Sequence, residues 1–183
     1  MNSPLTRRPS ARDYVTFYNF AAGLLQEIIG KPNLFSFIIK PSFSDIELLS
    51  VSINEQNEIC WEYGLWDNNK DSRIYFSEDS AVDKYRYQIL RPNPSLFFAK
   101  GILPKEAYSY TLSLLSNKDY PPFDEKISVI SIDGTINILD LPNIHEYGWN
   151  GDLPNVYSKF TDTLKEIEHN MQIGRQSAIQ KII

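Results

Sequence analysis

Cysteine, histidine and methionine are scarce in this chain. Its 183 residues include one cysteine, two histidines and two methionines. A lone Cys60 closes no internal disulfide and builds no cysteine-based metal cluster, so a reducing, cytoplasmic setting is expected. No apolar run approaches the ~20 residues that cross a bilayer, which excludes a transmembrane helix and makes a membrane partner unexpected. Residues 1–13 carry arginines without an apolar core segment, so no secretory signal is read there. G-x-S-x-G, the P-loop, G-x-G-x-x-G and H-E-x-x-H are all missing, and with them the local signatures of the commonest hydrolases, nucleotide-binding proteins and zinc proteases.

What is present is a core-forming composition. Hydrophobic residues make up 42% and aromatics 13%, too many for a disordered chain and enough for one domain with a core. Charge is unevenly placed. Arg7, Arg8 and Arg12 leave the first twelve residues basic, and Arg175 with Lys181 does the same for the last twelve. Taking those five from the 18 basic residues leaves 13 between residues 13 and 171, against all 23 acidic ones. Such a body repels phosphate backbones, so no nucleic-acid partner is expected. It attracts a basic protein and speeds the encounter. Ordinary solubility charge is the competing reading.

Periodicity supplies the fold. Tyr14, Phe17, Tyr18, Ala21, Leu24, Leu25 and Ile28 have the spacing of an amphipathic helix over 13–29, capped by Ser10 or Asp13 and ended by Gly30. Strands are predicted at 35–39, 46–53, 59–63 and 72–77, joined by short turns as an antiparallel meander, with a bulge at Leu48-Leu49 where the apolar phase changes. Residues 78–100 fit either a strand around Tyr85, Tyr87 and Ile89 or a helix. Pro104 opens a second helix to about Asn117, with Tyr108, Thr111, Leu112 and Leu115 as its stripe. Asp133-Gly134, between Ile127, Val129, Ile132 and Ile136, Ile138, has the form of a two-residue hairpin turn. A last helix is expected from Pro154 to about Met171, carrying Val156, Phe160, Leu164, Ile167 and Met171. The sum is one α+β domain over 13–171. It is a largely antiparallel sheet of about six strands with N-terminal, middle and C-terminal helices on one face, between a flexible basic tail (1–12) and a frayed tail (172–183).

Three constellations bear on function. Glu58, Glu62, Trp66, Asp67 and Asp71 lie on or beside one strand and its turn; with Trp149 they are the expected partner contacts, acidic and aromatic groups suited to a basic protein. Trp66 and Trp149 sit next to turns, so capping the core is the alternative for both. Asp67, Asn69, Asp71 and Glu78 take positions 1, 3, 5 and 12 of an EF-hand-like loop, which would make 67–78 a calcium module. Ser72 stands where that loop needs glycine, and a strand precedes it, so a polar turn is the competing reading and no metal or cofactor is expected. His145, with Asp140 and Glu146 near it in sequence, could join the scattered Asp133 and Tyr147 in an assembled enzyme or small-ligand site, with an ordinary loop histidine as the competing reading. His169 falls off its helix's apolar stripe and is read as a surface residue. Cys60 shares its strand face with Glu58 and Glu62, whose charges work against a thiolate, so it is read as structural.

The segment 126–171 combines Ile132-Asp133-Gly134-Thr135 at a strand end, a loop with Trp149, then Pro154 and a closing amphipathic helix. In this it resembles small bacterial α+β proteins, among them the cytoplasmic immunity proteins that neutralise polymorphic toxins. The resemblance implies a compact, acidic, non-catalytic binding protein and assigns no functional residue. With the acidic body, the missing catalytic motifs and the small single domain, the expected function is an immunity-type inhibitor that blocks a basic toxin domain by occlusion.

Overall fold

The computed structural model describes residues 11–76, 85–117, 134–141, 145–151 and 161–180. Helix α1 (Ala11–Ile29) leads into strands β1 (Phe35–Pro41), β2 (Ile46–Ile53) and β3 (Ile59–Trp66). A single helical turn, α2 (Asn68–Asp71), precedes β4 (Ser72–Phe76), β5 (Tyr85–Ile89) and β6 (Leu96–Leu103). After a 3₁₀ turn (Lys105–Tyr108) come α3 (Ser109–Asn117), β7 (Thr135–Leu141), β8 (His145–Asn150) and α4 (Thr161–Gln180). Six strands form one sheet in the order β6-β3-β2-β1-β7-β8, every neighbouring pair antiparallel. This is the α+β architecture that the periodicity predicts.

The sheet is covered on both faces, not on one. Odd-numbered residues of the strands, among them Phe35, Phe37, Leu49, Trp61, Tyr63 and Leu139, pack with Tyr108 and with Leu164, Ile167, Met171 and Ala178 of α4. Even-numbered ones, Ile38, Ile46, Leu48 and Trp66, pack with Tyr14, Phe17, Ala21, Leu25 and Ile29 of α1. This explains Leu48-Leu49. The two leucines serve opposite cores, and β2 pairs residue for residue with β1 and β3 without a bulge. A phase change in the sequence signals a bulge only when one face is wet.

Three further expectations change. β4 does not extend the meander: it pairs with β5 in a separate two-stranded ribbon against α1, and β6 takes the place beside β3. Both edges of β7 are taken, by β1 and β8, so its hairpin partner is β8. The expected arm 127–132 and Asp133 lie outside the described residues, as do Ser10, the Asp13 side chain and 154–160. Finally, α4 continues through Gln180, and Ala178 is buried, where a frayed tail was expected from 172.

The helix ends are explained locally. Gly30, at φ 72°, closes α1 in the left-handed region, its N–H donating to the Gln26 carbonyl at 3.1 Å. The start of α3 is held from another helix. The Glu166 carboxylate of α4 accepts from Ser109 Oγ and Tyr110 N, both at 3.0 Å, and from Thr111 N at 3.2 Å and Oγ1 at 3.1 Å. A negative group at the positive end of α3 satisfies the otherwise unbonded N–H groups and ties α3 to α4.

Candidate functional site

Alternation along β3 sorts the expected contacts. Odd positions enter the α4 core, while Cys60, Glu62, Gly64 and Trp66 face the α1 side. Glu58, just before the strand, is exposed and ordered by the turn: its N–H donates to Asn54 Oδ1 at 2.8 Å, and Asn54 Nδ2 donates back to Glu58 Oε2 at 2.9 Å. Glu62 is half-buried. Asp67 is half-buried too, and its Oδ1 caps α2 by accepting from Lys70 N at 3.0 Å.

Trp66, Asp71 and Trp149 are not surface residues, which corrects their assignment as partner contacts. Trp66 is fully buried, its ring 6.0 Å from Phe17 and 5.6 Å from Tyr18. Its indole Nε1 donates at 2.9 Å to Asp71, whose carboxylate is fully buried as well. Asp71 also accepts from Ser95 N and, at 2.6 Å, from Ser95 Oγ, with Arg91 Nε 3.9 Å away. Trp149 is buried on the odd face, 5.9 Å from Phe37. Adjacency to a turn placed these residues near the surface in sequence, but large rings at strand ends close the core instead.

The described part of the 67–78 segment is built as a helical turn leading into a strand. Asp67 caps a helical turn, Asp71 points inward at Trp66 and Ser95, and Ser72 begins β4. These carboxylates do not converge, and Glu78 lies outside the described residues. Among the described residues no three or more His, Cys, Asp or Glu side chains are grouped to hold a metal ion. His169 is exposed on α4, and Cys60 is half-buried. Tyr147 is fully buried on the odd face. Asp133 and the side chain of His145 lie outside the described residues.

Two features escaped the sequence reading. The first is a charged cluster where α4 crosses β2. Arg175 Nη2 lies 3.3 Å from Asp45 Oδ2, its Nη1 3.3 Å from Glu47 Oε1, and the buried Tyr63 hydroxyl donates to Glu47 Oε2. Burial and the Glu47 charge push the Tyr63 phenol far up, so it stays a donor. Burial also raises the Asp45 carboxyl above its ordinary 3.8; the nearby Asp67 charge adds to this, while the Asn68 N–H and Arg175 oppose it. A carboxyl raised by folding contributes stability that is complete below its unfolded pKa and lost as pH rises through its folded one. Wild type should therefore lose melting temperature relative to Asp45→Asn as pH rises from about 3 to about 6. Paired thermal melts across that window check this, and a relative gain by wild type would show that the Arg175 pair outweighs burial.

The second is a cleft of about 300 Å³ where α1 stops, lined by Ile28, Ile29, Glu62, Tyr63, Phe98, Ala99 and Lys100. A helix is ~10 Å wide and a six-stranded sheet ~24 Å, so one helix leaves outer strands uncovered. The cleft lies at that uncovered margin; Ile28, which lines it, is 55% exposed, and Ile102, two residues beyond the lining Lys100 on β6, is 60% exposed. Ile28 was expected in the helix's buried stripe, but Ile29 takes that place. Glu62 is the one sequence-derived contact residue that lines the cleft.

Comparison with protein-family models, curated proteins and solved structures found no match. No helix among the described residues is long and apolar enough to cross a membrane.

Proposed function

We propose that this chain is a non-enzymatic protein-binding module, most concretely an immunity-type inhibitor that neutralises a basic toxin domain in the cytoplasm by covering it. The observation that carries the reading is the carboxylate excess: 23 acidic against 13 basic residues between 13 and 171. Glu27, Glu55, Glu58, Glu106, Asp162 and Glu168 stand exposed around the fold, where they act on a partner before contact. Trp66, Asp71 and Trp149 no longer contribute, and Glu58, Glu62 and Asp67 remain as candidate contacts.

The test is capture from the native host with the tagged full chain at low and moderate salt, followed by co-expression with the captured protein. One dominant basic partner is expected, weakened by added salt because surface charges are screened over about 8–10 Å. Co-expression should relieve that partner's toxicity. No partner at either salt, or a partner that is acidic, overturns the reading.

A further inference from the structure

A second cleft, of about 280 Å³, opens on the other flank of α1. That is just under the ~300–1,000 Å³ of pockets that hold drug-sized ligands, so its scale is that of a smaller molecule. α1 packs over β2, β3 and β5, and β1 and β7 emerge from beneath it near its C-terminal end. There the sheet changes character. Ile38 of β1 stands opposite Ile138 of β7, but two residues along Ser36 stands opposite Asp140. Ile38 and Leu48 give the cleft its apolar lining, and Ser36 and Asp140 its polar groups from the sheet. Gln26 and Lys31 close it from the end of α1 and the residues after it.

Two observations mark this cleft as a binding site. Ser36 is 8% exposed and lines the cleft, yet its hydroxyl makes no hydrogen bond among the described residues. Hydroxyls withdrawn this far from bulk water are normally bonded. Asp140 is half-buried, and Lys31 lines the same cleft, but neither makes an ion pair or a side-chain hydrogen bond among the described residues. The two opposite charges therefore stand too far apart to pair, with space between them. One acid balances one base, so an ion of a single sign gains from one what it loses to the other. A molecule carrying both signs gains from each.

We propose that this cleft binds a small zwitterion with an aliphatic group, the chemistry of a free aliphatic amino acid. Its ammonium meets Asp140, and its carboxylate accepts from Lys31 and from the Ser36 hydroxyl. Its side chain lies on Ile38 and Leu48. This is a ligand function beyond the protein-binding reading, and it does not depend on it.

The test is calorimetric titration and thermal melting of the purified full chain with L-leucine, leucinamide, N-acetylleucine and glycine. Leucine should bind with a Kd of about 1 mM or tighter and raise Tm, because a ligand of the native state stabilises by mass action. Leucinamide, N-acetylleucine and glycine each lack one of the three matched groups, and each should bind about tenfold more weakly or worse. Asp140→Asn, Lys31→Met and Ser36→Ala should weaken leucine binding to the same degree. Their Tm without leucine should not fall, since these groups bond nothing in the fold. Glu168→Gln, exposed on α4 across the sheet, should bind leucine as wild type does. Wild type that does not bind leucine overturns the proposal. Leucine binding that the three cleft variants retain puts the ligand elsewhere and overturns this site. Leucinamide bound as well as leucine means that an amine alone is read, as at the start of a peptide; N-acetylleucine bound as well means a carboxylate alone, and either result overturns the zwitterion. No partner protein enters these measurements, so their failure leaves the protein-binding reading standing.

Discussion

Asp71→Ala should destabilise the protein by about 3–5 kcal/mol, which for a chain of this size lowers Tm by roughly 6–20 °C. The carboxylate is fully buried and accepts from the Trp66 indole and from the backbone and hydroxyl of Ser95. Removing it leaves those donors buried without their acceptor, each at a cost of about 1–3 kcal/mol. It also frees the Asp71 end of the contact with Arg91. The damage is not local, because Trp66 stands between Phe17 and Tyr18 of α1 and ends β3, while Ser95 begins the approach to β6. Asp71→Asn should recover only part of the loss, since its amide group turns a donor towards donors. Thermal and urea melts measure both variants. An Ala variant that melts with wild type would mean that the buried network is not held as described.

Gly174→Val should cost about 3 kcal/mol, and Gly174→Ala less. A Cβ at position 174 would stand 2.7 Å from both Cβ and Cγ of Tyr63. Tyr63 is fully buried at the middle of β3, and its hydroxyl is engaged by Glu47, so it has no route to move aside. The helix must lift instead, pulling on Arg175, its next residue and its link to Asp45 and Glu47. Alanine gains about 1 kcal/mol of helix propensity over glycine, which offsets part of the strain. Denaturant midpoints should therefore rank wild type above Ala and Ala above Val. An Ala variant more stable than wild type would show that α4 has room to shift.

Much of the architecture was legible because period and burial coincide. Tyr14, Phe17, Ala21 and Leu25 mark the buried side of α1, and Leu164, Ile167 and Met171 that of α4. What alternation does not carry is the partner of a strand. Ser72–Phe76 has the pattern of a strand, yet it joins β5 and not the sheet. Exposure beside turns was misread for the same reason: Trp66 and Asp71 satisfy each other, a pairing visible only once β3 and α2 are placed together. Arg175 was assigned to a tail, because the stretch after Met171 has small and polar residues where large apolar ones were expected. Gly174 and Ala178 are small because the helix runs close to the sheet there. The cleft was legible only through Glu62. Ile28 looked like core, and Ile102 fell just past the stretch that read equally as strand or helix.

The division of the interior into two cores has an optical consequence. The chain's three tryptophans are all buried, but not together: Trp66 belongs to the α1 layer, while Trp61 and Trp149 belong to the α4 layer. Fluorescence thus reports the two sides of the sheet through different chromophores. A protein retaining only Trp66 follows detachment of α1, and one retaining only Trp149 follows detachment of α4. Coincident transitions would show that the sheet transmits the loss of either helix to the other. Separated ones would show that each face of the same six strands melts as its own cooperative unit.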